Sequence, residues 1–376
     1  MSARRESDAL HARVRAFARA FERGRDAPEP FDAVAGDLAR FQASFVAGYR
    51  RLCDAHGVEP AAIRRAEQAP AVPSAAFGLG KVFAFEVGDA SATFRTSGTT
   101  GGPRGTHRMR LLDTYDTVAL AFGRSMFARD LTGVAFVFVI GPSLEEAPDS
   151  SLAYMCALFA RVFGRAFGQR PPLEQTFFVR EGELDLTGLR RSVAGLDSES
   201  PVLILATSFG LVHLLEALDG DVLALPARSR VMQTGGFKAR SREPTADALR
   251  RDVARAFGVP ERAVVGEYGM TELSSQFWEA TLVDPASRHG VYVEPPWARV
   301  VPVDPETLIP VRAGEVGIAR IEDLANVDSA FAVLTEDRVR RVPGGFELLG
   351  RSLGAHPRGC SIGLEEMVSS GKGHGP

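Results

Sequence analysis

A run of ten residues made only of Gly, Ser, Thr, Pro and Arg constrains the fold of this chain more than any other feature. The run extends from Thr96 to Gly105 and follows a short β-prone segment, residues 92–94. Its four glycines let backbone N–H groups approach an anion closely, and its four hydroxyl side chains add hydrogen-bond donors. Arg104 adds positive charge, and a basic patch begins at His107. The run predicts a polyphosphate-binding loop, although its spacing is neither that of the nucleotide P-loop nor the dinucleotide fingerprint.

Two further segments follow β-prone runs and are candidate parts of the same site. Residues 266–272, Gly-Glu-Tyr-Gly-Met-Thr-Glu, offer an aromatic ring, a hydroxyl donor and a carboxylate. These groups suit a base, a phosphate and a hard cation. Residues 233–238, Gln-Thr-Gly-Gly-Phe-Lys, form the second segment. Taken alone, a strand followed by a helix capped at Thr271 also explains the first segment, and an ordinary turn explains the second.

Apolar runs alternate with helical patterns from residue 91 onward, which is typical of α/β proteins. Residues 134–140 and 202–205 are continuous apolar runs, which indicate buried parallel strands. We therefore expect an α/β fold with a mostly parallel sheet flanked by helices. Ligands of such sheets bind at the carboxyl ends of the strands, so the polar segments are expected to gather there. Residues 10–21 and 38–52 show helical spacing with a break at residues 26–30 between them, and the pattern becomes strand-rich after residue 290.

Composition and charge argue against several classes of protein. A formal net charge of −3 does not suit electrostatic binding of nucleic acid. We expect no membrane span, because no apolar run approaches about 18 residues, and no signal peptide. Cys53, Cys156 and Cys360 are odd in number and far apart, which suits reduced thiols in the cytoplasm. Cys53 and Cys156 lie on apolar helix faces as core residues would, whereas Cys360 does not.

The three polar segments resemble motifs of the adenylate-forming enzymes, the superfamily of acyl-CoA synthetases and luciferases. Their phosphate loop, Thr-Ser-Gly-Thr-Thr-Gly-x-Pro-Lys-Gly, differs from Thr96–Gly105 only at Arg104. Residues 266–272 resemble the superfamily's Tyr-Gly-x-Thr-Glu motif, and Gly235-Gly236 resembles its adenine-contacting glycine pair. The resemblance implies the adenylate-forming fold, with ATP and Mg²⁺ as cofactors and an acyl-adenylate as product.

Near the C-terminus, the chain resembles one branch of this superfamily in particular. Gly350-Arg351 matches the hinge that precedes the superfamily's C-terminal lid, yet only 25 residues follow it. The segment Arg358-Gly359-Cys360-Ser361 resembles the fatty acyl-protein synthetases of bacterial bioluminescence, in which a cysteine accepts the acyl group as a thioester. We therefore expect a truncated lid. The chain divides into a helical N-terminal segment (1–90), an adenylate-forming catalytic core (91–348) and a short C-terminal segment (349–376).

The resemblance also assigns roles to individual residues. Glu272 is expected to hold Mg²⁺, and Thr271 to contact the α-phosphate. Asp337 is expected to bind the ribose hydroxyls, although a solvated turn acid is an alternative there and Asp323 is the fallback candidate. The residues expected to bind the nucleotide are Thr96, Ser97, Gly98, Thr99, Thr100, Gly101, Arg104, Gly235, Gly236, Tyr268, Asp337 and Arg351.

Two catalytic assignments concern the missing lid and the acyl acceptor. Lysine occurs only at positions 81, 238 and 372, and Lys238 is the expected replacement for the lid lysine. A surface salt bridge explains Lys238 equally well. The resemblance implies that Cys360 accepts the acyl group, and the nearby Arg351 and Arg358 would favour its thiolate.

The sequence thus predicts a cytoplasmic ligase that activates a fatty or related carboxylic acid and passes it to a protein thiol. A partner such as an acyl-reductase or a carrier protein would take the acyl group. One alternative is a phenylacetate-CoA-ligase-like enzyme that uses coenzyme A or a carrier protein directly. Another is a non-catalytic nucleotide-binding relative, which would bind ATP without catalysing pyrophosphate exchange.

Overall fold

A computed structural model describes residues 3–79, 81–96, 104–131, 136–164, 176–235, 245–351 and 366–367. The described residues pack as two compact units. Unit 1 comprises Met1–Phe122, Met270–Ser275 and Glu294–Pro376, and unit 2 comprises Gly123–Gly269 and Gln276–Val293. The division at residues 90 and 348 stays a prediction. Within the described ranges, no helix is long and apolar enough to cross a membrane.

The described helices, numbered α1–α8 in chain order, are Ala3–Glu22, Phe31–Phe45, Ala47–Ala55, Leu112–Phe127, Ser151–Phe163, Leu186–Ala194, Ser208–Leu218 and Ala246–Phe257. The predicted N-terminal helical pattern is confirmed, although Val46 adopts an extended conformation and separates α2 from α3. Side chains cap several helices; Thr207 accepts a hydrogen bond from the Gly210 N–H at the start of α7.

The described strands, numbered β1–β15 in chain order, are Val72–Pro73, Ala92–Arg95, Thr106–Met109, Phe136–Ile140, Val179–Arg180, Glu183–Leu184, Val202–Thr207, Arg230–Thr234, Val264–Tyr268, Phe277–Glu279, Val291–Val293, Ala298–Val303, Val316–Asp323, Ala332–Val342 and Gly345–Arg351. The predicted strands at residues 92–94, 134–140 and 202–205 correspond to β2, β4 and β7. The α/β fold class is confirmed.

Unit 2 contains the parallel strands. β4, β7, β8 and β9 pair in parallel in that order, and β10 and β11 continue the sheet antiparallel. Every residue of β4, β8 and β9 is buried, as expected where helices cover a parallel sheet. One face packs against α7 and α8 through Ile204, Leu211 and Val253. Cys156 in α5 is a buried core residue, as predicted.

Unit 1 is built around antiparallel strands. β12, β13, β14 and β15 pair in sequence, and β1 lies parallel to β14. These strands run antiparallel because short turns join them; β14 and β15 are connected by only Pro343 and Gly344, and Gly344 has a φ of +86°. Helix α1 contributes Phe21, whose ring meets Trp297 edge-on at 5.8 Å. Cys53 is fully buried in α3, as predicted.

A buried polar cluster ties α1 to the loop between β13 and β14. The Asp328 carboxylate accepts hydrogen bonds from Ser7 Oγ and Arg110 Nε and contacts His11 Nε2 at 2.9 Å. Burial alone would raise the pKa of Asp328, but the interactions with His11, Ser7 and Arg110 outweigh it and hold that pKa below its usual value. The ionised Asp328 therefore fixes the base of this loop.

Candidate functional site

The β2–β3 hairpin brings together the two ends of the predicted phosphate loop. Arg95 pairs with Thr106 in antiparallel register. The Thr96 N–H donates to the Gly105 carbonyl at 2.9 Å, and the Gly105 N–H donates to Thr96 Oγ1 at 2.8 Å. Arg104 Nε also donates to the Thr96 carbonyl, at 2.5 Å. Three hydrogen bonds therefore close the base of the loop and hold Arg104 beside it.

Glu272 lies against this base. A Cβ added to Gly105 would come within 3.4 Å of Glu272 Oε1 and 2.9 Å of Thr96 Cγ2, so glycine permits the close approach. Glu272 is only 7% exposed, and burial raises the pKa of its carboxyl to about 7. The positive charge of Arg351 opposes this shift, and Asp337 adds to it. A bound cation would favour the ionised carboxylate.

Asp337 and Arg351 form the third part of the site in unit 1. They are paired across β14 and β15, and Arg351 Nε donates to Asp337 Oδ1 at 3.2 Å. Asp337 is a buried strand residue, 8% exposed, so the alternative of a solvated turn acid is wrong. Gly350 has a φ of +79°, which favours glycine immediately before Arg351.

Asp323, the fallback candidate for the ribose, is occupied by structural hydrogen bonds. Its carboxylate accepts from the backbone N–H groups of Ser274, Ser275 and Ala325 and from Ser275 Oγ, at 2.6–3.0 Å. The residue is completely buried. It therefore anchors the segment that follows Glu272, and the assignment of the ribose hydroxyls to Asp337 stays a prediction.

The backbone carbonyls of Thr271 and Glu272 are both held by side chains. His107 Nδ1 lies 2.8 Å from the Thr271 carbonyl, and Asn326 Nδ2 donates to the Glu272 carbonyl at 2.8 Å. Ser329, from the same loop as Asn326, lies 3.0 Å from His107 Nε2. These contacts hold residues 271–272 in a turn, so the alternative of a helix capped at Thr271 is wrong.

In unit 2, the carboxyl ends of β7, β8 and β9 lie side by side, with Thr207, Thr234 and Glu267 in register. Ser208 Oγ donates to the Gly235 carbonyl at 2.6 Å, and Gly235 has a φ of +78°. This part of the sheet therefore brings segments 207–209, 233–235 and 266–268 to one edge. The phosphate loop was expected at the carboxyl ends of the same sheet, but it joins β2 and β3, which pair as a separate antiparallel hairpin.

Tyr268, the predicted adenine-stacking residue, is 6% exposed and stacks on Phe277 with ring centroids 5.8 Å apart. Its neighbour Glu267 accepts a hydrogen bond from Thr234 Oγ1, and burial raises the pKa of Glu267 to about 7. Phe209 is 65% exposed at the start of α7.

The remaining predicted residues lie outside the described residues; they are Ser97, Gly98, Thr99, Thr100, Gly101, Gly236, Lys238 and Cys360. Sequence reasoning missed the supporting residues Asn326, Ser329 and Glu267, and it treated His107 only as part of a basic patch. His107 is buried, and burial lowers its pKa to about 4, so it is neutral at pH 7. Only Glu267 had a sequence signal, because it lies inside the 266–272 motif.

The donor set at Glu272 fits Mg²⁺ bound together with a nucleotide. Among the described residues, no group of three or more His, Cys, Asp or Glu could hold a metal ion. Mg²⁺ usually takes one or two carboxylates together with substrate phosphates and water. One buried carboxylate at the base of a phosphate-type loop matches that arrangement.

Solved structures share this fold. An open conformation of 2-hydroxyisobutyryl-CoA ligase in complex with 2-HIB-AMP and CoA matches with a TM-score of 0.59 and 14% identity, over 85% of this chain and 69% of that chain. The same ligase in the thioesterification state matches with a TM-score of 0.58 and 17% identity, over 93% of this chain and 69% of that chain. ATP-bound MatB from Rhodopseudomonas palustris matches with a TM-score of 0.49 and 15% identity over 71% of this chain. The match covers 49% of MatB, so this chain spans about half the length of that protein.

The fold class is therefore that of the adenylate-forming ligases, as the sequence motifs predicted. No curated protein matches the chain at the level of sequence. The family described as acyl-protein synthetase, LuxE, matches residues 36–369. The chain belongs to this acyl-protein synthetase family.

Proposed function

We propose that this protein is an ATP-dependent ligase that activates a fatty or related carboxylic acid and transfers it to a protein thiol. In the first step, a carboxylate oxygen attacks the α-phosphorus of ATP. The bond from that phosphorus to the bridging oxygen breaks, and pyrophosphate leaves. In the second step, a thiolate attacks the acyl carbon and AMP leaves, which forms a thioester.

The observation that carries this proposal is the position of the Glu272 carboxylate against Gly105, at the closed base of the Thr96–Gly105 loop. The chain's own groups would bind the polyphosphate there through backbone N–H groups and Arg104. Mg²⁺ held by Glu272 would supply charge neutralisation of the phosphates. Asp337 would bind the ribose hydroxyls, and its ion pair with Arg351 keeps its carboxylate oriented.

The other assignments rest on the resemblance to the superfamily. Tyr268 would contact the adenine together with Gly235 and Gly236, and Thr271 would contact the α-phosphate. Lys238 would balance the charge that develops between the carboxylate and the α-phosphate.

Cys360 would accept the acyl group after adenylation, within the acyl-protein synthetase family that residues 36–369 match. An acyl-reductase or a carrier protein would then receive it. The free thiols at Cys53 and Cys156 suit a cytoplasmic protein.

A panel of carboxylic acids tests the proposal in an exchange assay between labelled pyrophosphate and ATP. We expect exchange that depends on Mg²⁺ and on a fatty or related acid, and we expect Glu272→Gln to reduce it strongly. ATP binding without exchange by any acid would instead identify a non-catalytic nucleotide-binding relative. Exchange followed by transfer only to coenzyme A would favour the CoA-ligase alternative.

A further inference from the structure

His107 links two segments of unit 1 that are far apart in sequence. It lies on β3, two residues after Gly105, and its Nδ1 reaches the carbonyl of Thr271 at 2.8 Å. Gly105 in turn lies against the Glu272 carboxylate. The hairpin and the Thr271–Glu272 turn therefore meet at two places, where the Glu272 side chain approaches Gly105 and where the His107 imidazole reaches the Thr271 carbonyl.

The partners of the ring fix its tautomer. A carbonyl oxygen only accepts hydrogen bonds, so Nδ1 of His107 carries the proton that points to Thr271. Nε2 is then the acceptor, and Ser329 Oγ donates to it at 3.0 Å. The ring is 2% exposed and packs edge-on against Phe77, with centroids 5.5 Å apart. The imidazole is thus held as a neutral bridge with both nitrogens satisfied.

The same loop that provides Ser329 also provides Asn326, which donates to the next carbonyl, that of Glu272. Asn326 Nδ2 also donates to the Ala330 carbonyl, so the loop is braced within itself. Two consecutive carbonyls are therefore held from one loop, directly by Asn326 and through His107 by Ser329. The backbone of Thr271 and Glu272 therefore cannot shift relative to Gly105 without breaking these hydrogen bonds.

We propose that His107 is a positioning residue that sets the distance between Gly105, at the end of the phosphate loop, and the Thr271–Glu272 segment, and thereby the affinity for Mg²⁺-ATP. This inference rests on the proposed function. His107 would touch neither the nucleotide nor the acid. It would act through the Thr271 carbonyl, whose hydrogen bond has to survive for Glu272 to face the phosphates.

Two substitutions separate the two hydrogen bonds of the ring. The amide of His107→Asn lies where Nδ1 lies and keeps a donor for Thr271, whereas the amide of His107→Gln lies where Nε2 lies and reaches Ser329. Leu38→Ala, which removes a buried side chain of α2, serves as the control for destabilisation alone. Titration calorimetry measures the affinity for Mg²⁺-ATP, and pyrophosphate exchange measures KM for ATP and kcat. All measurements are made at temperatures at which thermal melts show that each variant is folded.

We expect His107→Asn to bind Mg²⁺-ATP within about threefold of wild type, and His107→Gln to bind about tenfold more weakly, because it leaves a buried carbonyl unpaired. KM for ATP should change by the same factors. Equal affinities for the two variants, or a tenfold loss in Leu38→Ala as well, would overturn the inference. Wild type that binds ATP without exchange would refute the proposed function while the comparison of affinities still stands. Wild type that binds no ATP would overturn both.

Discussion

Glu272→Gln should stabilise the protein in the absence of nucleotide, and the gain should depend on pH. Burial raises the pKa of the Glu272 carboxyl from 4.5 to about 7 in the folded protein. The folded state therefore holds a proton that the unfolded chain releases between these values. The proton on Glu272 contributes to the free energy of unfolding of wild type, and this contribution is lost as pH rises through about 7. Glutamine has the same shape but does not titrate, so the Glu272→Gln variant loses no free energy of unfolding at this site over that range.

The size of the effect follows from the shift. One pKa unit corresponds to about 1.4 kcal/mol, so the difference between Glu272→Gln and wild type should grow from near zero at pH 4.5 to about 3 kcal/mol at pH 8. Urea denaturation of both proteins across this range, with a chelator present, measures the difference. The buried Glu267 is common to both proteins, so its own titration cancels. A difference that does not change with pH would refute the reasoning.

Further predictions test other parts of the site. Gly105→Ala should cost about 1–3 kcal/mol of stability through contact with Thr96 and should raise KM for ATP in the exchange assay. Asp323→Ala should lower stability by about 3 kcal/mol in urea denaturation, because buried N–H groups lose their acceptor; an unchanged midpoint would contradict that anchor. Cys360→Ser should still release pyrophosphate but lose a hydroxylamine-labile acyl label on a denaturing gel, and label that survives would exclude Cys360 as the acceptor.

Local patterns in the sequence predicted much of the fold. Continuous apolar runs marked β4 and β7, because strands covered on both faces leave no place for polar residues. Helical spacing marked α1 and α2. The break at Val46 was missed, since the apolar residues on either side of it keep helical spacing and pack into the same core.

The motifs of the site could be predicted, but the residues that support them could not. Thr96, Gly105 and Glu272 belong to short patterns whose chemistry is readable from the sequence. Asn326 and Ser329 act through hydrogen bonds to segments more than 50 residues away, and a single sequence contains no signal for such pairings. For the same reason, the hydrogen bonds that make Asp323 an anchor for Ser274 and Ser275 could not be predicted from the sequence.

The central claim, that the protein makes an acyl-adenylate, is tested most directly by following the oxygen of the acid. A fatty acid labelled with ¹⁸O in its carboxylate is incubated with the protein, ATP and Mg²⁺, and the nucleotide products are analysed by mass spectrometry. If the carboxylate attacks the α-phosphorus and the acyl group is then passed to a thiol, AMP should carry one ¹⁸O atom. Unlabelled AMP, or ADP with labelled phosphate, would contradict the account.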